Sequence, residues 1–317
     1  MVDLHIHTSH SDGTWDTKRL LQEAEKAKLD YISITDHNSV EAYNDIKNFN
    51  LSNIFGGKII TGCEFSCYLG DARIELLGYN IDVNKTEKWI EENYHYEEYS
   101  FQNEFEKLVE LCKYHNIKLT ENLYYDETKE YPYDTIYNDI IKYPENIKFF
   151  TKDELATANN FFRSASCNKE NPLHVDFKID PIAKEVSDFI RSVGGKVFIA
   201  HAFVYKFENT TKFINELISN NIIDGIEVYH TDHSEEEVKI LLSICKEKNL
   251  LISAGSDCHG EKRRERKIGK IFKGQPIENS TVSELLKCKN STIAWKDEEG
   301  EEFTQENLKE IWKYGII

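Results

Sequence analysis

The chain has no run near the roughly 18 consecutive apolar residues that a membrane-spanning helix requires. It opens on a strand-like segment rather than a signal peptide, so a cytoplasmic protein with no membrane partner is expected. Paired cysteines are missing too. Cys63, Cys67, Cys112, Cys167, Cys245, Cys258 and Cys288 form an odd set of seven without a CxxC spacing. That excludes a disulfide framework and a zinc knuckle and leaves reduced, mostly core thiols. Positive charge is also short. Thirty-nine basic residues face 56 acidic ones, for a net charge of −17, which argues against a broad grip on duplex nucleic acid. Any anionic substrate must be attracted locally. No internal sequence repeat is present.

What the chain does have is enough length and apolar content for a full core in one large domain, at 317 residues and 40% hydrophobic. Val2–His7 alternates apolar and polar residues. A Ser-Asp-Gly turn comes next, then Leu20, Leu21, Ala24 and Ala27 at helical spacing behind Asp16 as N-cap. The strand-loop-helix unit recurs at Tyr31–Thr35 and Lys58–Phe65. It returns later as helix Pro181–Val193, strand Lys196–Ala200, helix Thr211–Asn220, strand Gly225–Tyr229, helix Ser234–Lys248 and strand Leu250–Ala254. Such alternation implies an α/β body of parallel strands joined by crossovers. Between residues 85 and 172 the pattern breaks, and helical stretches such as Phe101–Tyr114 succeed one another without strands. The expected organisation is a body over 1–84 and 173–289, an inserted helical lobe over 85–172, and an acidic extension over 290–317 that Trp295 and Trp312 pack onto the body.

Residues two apart on a strand share a face, so His5 and His7 present two imidazoles to one point. Alone, such a pair is weak evidence. The other apolar runs, however, end alike: Asp36-His37 after Tyr31–Thr35, Glu64 within Thr61–Phe65, His201 after Val197–Ala200, His230 after Glu227–Tyr229, and Asp257 with His259 after Leu251–Ala254. In parallel α/β barrels the carboxyl ends of the strands share the face where sites are built. Imidazole and carboxylate without thiolate suit catalytic manganese, iron or zinc. Asp12, just beyond the first strand, can close over the same mouth, and Glu64 can bridge two cations. With metals held close together, bound water becomes hydroxide near neutral pH, and the cations neutralise charge developing on a phosphoryl oxygen.

The runs Asp3-Leu4-His5-Ile6-His7-Thr8, Ser11-Asp12-Gly13, Thr35-Asp36-His37, Gly62-Cys63-Glu64, Gly194–His201, Gly225–Tyr229 and Gly255–Gly260 together resemble the PHP (polymerase and histidinol phosphatase) superfamily. The similarity is greatest to its stand-alone members that hydrolyse nucleotides and short oligoribonucleotides. The resemblance implies a distorted seven-stranded (β/α) barrel. It further implies that His5, His7, Glu64 and Asp257 hold one cation and that Asp12, His37 and His259 hold a second. A third cation of the family takes two further histidines. Here Glu75 stands in the place of the first, within Arg73–Tyr79, and Tyr133 in the place of the second, which predicts two metals and a weak or absent third.

His201 has two readings, metal ligand or proton donor to the leaving oxygen, and imidazole titrates near the pH the second role needs. His230 and His233 either line the mouth or face water. The run Lys262–Lys267 is the dense basic cluster of an acidic chain. Leaving a metal-bearing strand, it can bring Arg263 or Arg264 onto a substrate phosphate through bidentate contact. His10, His95, His115 and His174 lack a supporting pattern. The expected activity is hydrolysis of a nucleotide or short-oligonucleotide phosphoester, phosphatase or 5′–3′ exonuclease-like. Amide or lactone hydrolysis by the same metals, or a non-catalytic metal-binding module, are the alternatives.

Overall fold

The computed structural model describes residues 1–46, 48, 51–94, 100–168, 170–175, 180–263, 265–287, 295–296 and 302–303. The strands are β1 (Val2–Ile6), β2 (Tyr31–Ile34), β3 (Lys58–Ile59), β4 (Gly62–Leu69), β5 (Ala72–Tyr79), β6 (Lys196–Ile199), β7 (Gly225–His230), β8 (Leu251–Gly255), β9 (Trp295–Lys296) and β10 (Glu302–Phe303). The helices are α1 (Thr17–Lys26), α2 (Glu41–Ile46), α3 (Val83–Asn93), α4 (Phe101–Tyr114), α5 (Pro132–Ile140), α6 (Ala158–Cys167), α7 (Ala183–Ser192), α8 (Thr210–Ser219), α9 (Glu235–Lys248) and α10 (Ser283–Lys287). Asp16 caps α1 by accepting from Arg19 N, and Leu20, Leu21 and Ala24 are its buried stripe. Ser234 and Glu237 form a capping box on α9, which ends on Asn249 in the left-handed region. Among the described residues, no helix is long and apolar enough to cross a membrane.

The strands of the body fall into a parallel sheet β1-β2-β3 and a mixed sheet β4-β5-β6-β7-β8, and β9 and β10 form a separate antiparallel pair. Only part of the second sheet has the parallel pairing expected from the alternation. β6, β7 and β8 are parallel, but β5 runs antiparallel to both β4 and β6. The cause is local. Only Gly70 and Asp71 separate β4 from β5, with Gly70 at φ +62°, a link fit for a hairpin and far too short for a crossover.

Single parallel bridges link the two sheets, Ile6 of β1 with Cys258 beyond β8, and His37 beyond β2 with Glu64 of β4. At the first, Asp257 N donates to His5 O and His7 N to Cys258 O, at 2.8 and 3.0 Å. Buried Asp3 reinforces it by accepting from Ser256 N, Ser256 Oγ and Gly269 N at 2.6–2.9 Å. Gly255 is required there, because a Cβ on it would lie 2.2 Å from His5 Cβ and 2.6 Å from His5 N.

Alternation along the strands sorts the core. Cys63, Phe65 and Cys67 of β4, Ile74 and Leu76 of β5, and Val197 and Ile199 of β6 pack under the helices. Leu77, Tyr79, Phe198, Ala200 and Ala254 fill the space inside, sealed by Ile277, Val282 and Leu285. Glu75 shares the face of Leu77 and Tyr79 and so rises above this apolar plug. Helices α4, α5 and α6 have their own core around Phe105, Leu108, Ile136 and Phe161. Helix α3 instead packs on the body, where Trp89 stacks on Phe189 with ring centroids 4.4 Å apart. The cysteines within the described side chains are free and buried. The side chains of Trp295 and Trp312 lie outside the described residues.

Candidate metal centre

The ends of the strands place the site. His5 and His7 leave β1, His37 follows β2, Glu64 and Glu75 point inward from β4 and β5, His201 follows β6, and Asp257 and His259 follow β8. Asp257 has a φ of +54° and His201 of +28°, left-handed conformations that side chains rarely adopt and that sites commonly hold. His5 Nε2 lies 3.1 Å from His7 Nε2, 3.2 Å from Glu64 Oε2 and 3.4 Å from Asp257 Oδ1. His7 Nε2 lies 3.3 Å from Glu64 Oε2 and 3.0 Å from Asp257 Oδ1. Donors about 2.1 Å from a shared cation stand roughly 3.0–3.4 Å apart in octahedral or tetrahedral geometry, so these five separations are edges of a coordination shell.

A second set adjoins it. His259 Nε2 is 3.1 Å from Asp12 Oδ1, His37 Nε2 is 3.8 Å from Asp12 Oδ2, and His7 Nδ1 is 3.6 Å from Asp12 Oδ1. His7, Asp12, His37 and His259 thus share one candidate cation position, and His5, His7 and Glu64 another. Glu64 connects them, with Oε2 3.2 Å from His37 Nδ1 and Oε1 3.1 Å from His201 Nε2. The donors expected for two cations are therefore together, and their types fit hard to borderline divalent ions.

Burial favours the neutral form of each carboxyl here, yet all three principal ones stay ionised. His5 and His37 hold Glu64 well below its usual range, His259 and His37 do so for Asp12, and Arg266 and His5 for Asp257. Burial opposes charge on the imidazoles as well. Glu227, Glu64 and Asp257 overcome it at His5, whose value rises well above the ordinary one, and Asp257 and Glu64 raise His7 to about 10. The cavity is a buried cluster of carboxylates and imidazoles whose charge suits a cation, and a metal would displace protons to enter.

A ring of supporting groups fixes the donors. Glu227 Oε1 lies 2.9 Å from His5 Nδ1 and its Oε2 accepts from His201 N at 2.8 Å. Because a carboxylate only accepts, the His5 proton sits on Nδ1 and Nε2 is left for a cation. Asp36 accepts from Thr8 N, Thr8 Oγ1 and Ser11 Oγ, each at 2.6 Å, and shapes the loop that carries Asp12. Arg266, buried, donates to Asp257 Oδ2 and, at 2.6 Å, to Asp232 Oδ2.

The remaining site expectations divide. Arg263 lines the cavity, with Cζ 5.4 Å from the Tyr131 ring, whereas Arg264 lies outside the described residues. His230 neither lines the mouth nor faces water. A bulge between Glu227 and Tyr229 shifts the alternation of β7 and turns His230 inward, where Nε2 meets Asp257 Oδ2 at 3.2 Å. His233 is buried as well, with Nδ1 3.0 Å from Val228 O. Tyr133 turns its hydroxyl to Leu173 O at 3.2 Å, away from the donors. His10 pairs locally with Glu41 and Asp45 and His174 with Ala165 O, while His95 lies outside the described residues.

Glu227, Arg163 and Arg266 carried no sequence-based assignment. Glu227 had a signal, the same inward register that marks Glu64. The others reach the site only through tertiary placement.

The fold and the donor sets define an α/β protein with a histidine–carboxylate candidate metal centre. The PHP domain model matches residues 3–169, more than half of the chain, and the protein belongs to the PHP domain family. No curated protein matches it. A Bifidobacterium adolescentis protein described as a candidate metal-dependent phosphoesterase shares the fold at a TM-score of 0.61 and 21% identity, over 95% of this chain and 98% of that one. An amidohydrolase from Chromobacterium violaceum, with bound sulfate and no metal, does so at 0.60 and 16%, over 87% and 91%.

Proposed function

We propose that the protein is a metal-dependent phosphoesterase acting on a nucleotide or short oligonucleotide. The observation that carries the reading is the set of five 3.0–3.4 Å separations among His5, His7, Glu64 and Asp257, the last two of which line a cavity of about 420 Å³. His5, His7, Glu64 and Asp257 hold one divalent cation, and Asp12, His37 and His259 the other. When bound, manganese, iron or zinc supplies an activated water and neutralises phosphoryl charge. The distorted seven-stranded barrel and the division into body, lobe and extension belong to the same reading.

The residues opposite the donors support a nucleotide. The lobe lines the cavity with Phe101, Tyr131 and Phe162, faces on which a base stacks, and Arg263 offers a guanidinium to a phosphate. His201, whose Nε2 reaches Glu64 at 3.1 Å and Glu75 at 3.4 Å, holds a proton for the departing oxygen. The deciding experiment is a phosphate-release screen with manganese across nucleoside mono- and bisphosphates, sugar phosphates and a short RNA, beside amide and lactone substrates. Phosphate release from nucleotides or RNA supports the reading. Turnover of amides or lactones alone replaces it with an amidohydrolase, and no turnover of any kind leaves a metal-binding module.

A further inference from the structure

His37, Glu64 and Glu75 each bring a donor atom within 4.8 Å of the others, the makings of a third cation position. That position already faces a positive charge. Arg163, carried by α6 of the lobe, places Nη1 3.0 Å from Glu75 Oε2, and both side chains are largely buried. Its Cζ lies 5.1 Å from the Phe162 ring and 5.5 Å from the Tyr205 ring, between an aromatic of the lobe and one of the body. The Tyr205 hydroxyl also accepts from Glu75 N at 2.9 Å, so the ring beside the guanidinium pins the backbone of its partner.

Glu75 divides its oxygens. Oε1 is 4.0 Å from His37 Nδ1, while Oε2 serves Arg163 and His201. A divalent ion held through Glu75 would lie a few ångströms from a guanidinium that cannot lose its proton and is shielded by little water. Lysine or histidine there can escape the repulsion by deprotonating, and arginine cannot.

We propose that the Arg163 guanidinium takes the place of a third metal ion, so that the protein binds two metals per chain and the lobe supplies a fixed positive charge beside Glu75. The inference rests on the two-metal reading above. It implies that chelation removes both metal ions and leaves the Arg163 guanidinium in place.

The test is metal content by mass spectrometry of the full chain, equilibrated with manganese and freed of excess by gel filtration. Wild type carries two ions and Arg163→Gln carries three. Arg163→Met, of similar length and uncharged, also carries three and serves if the glutamine variant does not fold. Three ions in wild type, or two in both uncharged variants, overturn the inference while leaving the metal centre standing. Fewer than two in wild type instead defeats the two-metal reading and this inference with it.

Discussion

The phenol of Tyr131, in the lobe, donates to Asp12 Oδ2 in the body across 2.6 Å. Burial and the adjoining Asp12 carboxylate push the phenol above its usual range, which keeps it a neutral donor. Lys262 Nζ sits 3.6 Å from the centre of the same ring, so the basic loop, the lobe and one metal ligand meet at a single side chain.

Tyr131→Phe removes that hydrogen bond and leaves the ring. Groups that orient a metal ligand typically change affinity by about 10- to 100-fold. Calorimetric titration with manganese should therefore show one of the two sites weakened by that order, with the other unchanged. Two unaltered isotherms would mean that the lobe does not position Asp12.

Arg266 neutralises buried Asp257 and also pairs with the exposed Asp232. Arg266→Ala strands the Asp257 carboxylate, and breaking a buried pair costs about 3–5 kcal/mol. Urea unfolding of the metal-free variant should show a loss of that order. Manganese should restore part of it, because a cation on Asp257 supplies the missing charge.

His233 gives the fold an acid limit. Burial, aided by His230, depresses it from an ordinary 6.5 to about 4. Between those values the unfolded chain binds a proton that the folded chain refuses, so stability falls as the pH drops through that window. At pH 5 the loss is about 2 kcal/mol relative to pH 7. His233→Gln should show a smaller fall in urea midpoint between the two pH values, and an equal fall would remove His233 from the cause.

His201→Asn separates a proton donor from a ligand. We expect two metals retained and kcat reduced about 10²- to 10⁴-fold, with the largest effect on substrates whose leaving group is most basic. Loss of a metal ion would make His201 a ligand.

Much of the donor set was legible because strand periodicity and chain order are local. His5 and His7 two apart, and Asp36-His37, Asp257 and His259 at the ends of apolar runs, identify themselves before any folding. Asp16 as a cap and Phe101–Tyr114 as a helix were likewise written in composition and spacing. The antiparallel β5 was hidden because Arg73–Tyr79 reads as well in either direction, and only the short Gly70-Asp71 link decides it. His230 turned inward because a single bulge reverses the facing of the strand residues beyond it. Arg163, Tyr131 and Arg266 meet Glu75, Asp12 and Asp257 through the docking of the lobe and a loop on the body, contacts that no periodicity encodes. They are also the groups that set the charge and orientation of the candidate donors, so the clustering of the donors was readable while their surroundings were not.

The metal centre is tested most directly by phosphate release from a nucleoside bisphosphate by chelator-treated protein, as manganese is titrated back, with Asp257→Asn in parallel. Treated wild type should be inactive and regain full turnover at two equivalents of manganese, and Asp257→Asn should stay inactive throughout. Turnover that persists in both the metal-free protein and Asp257→Asn would contradict hydrolysis at this centre.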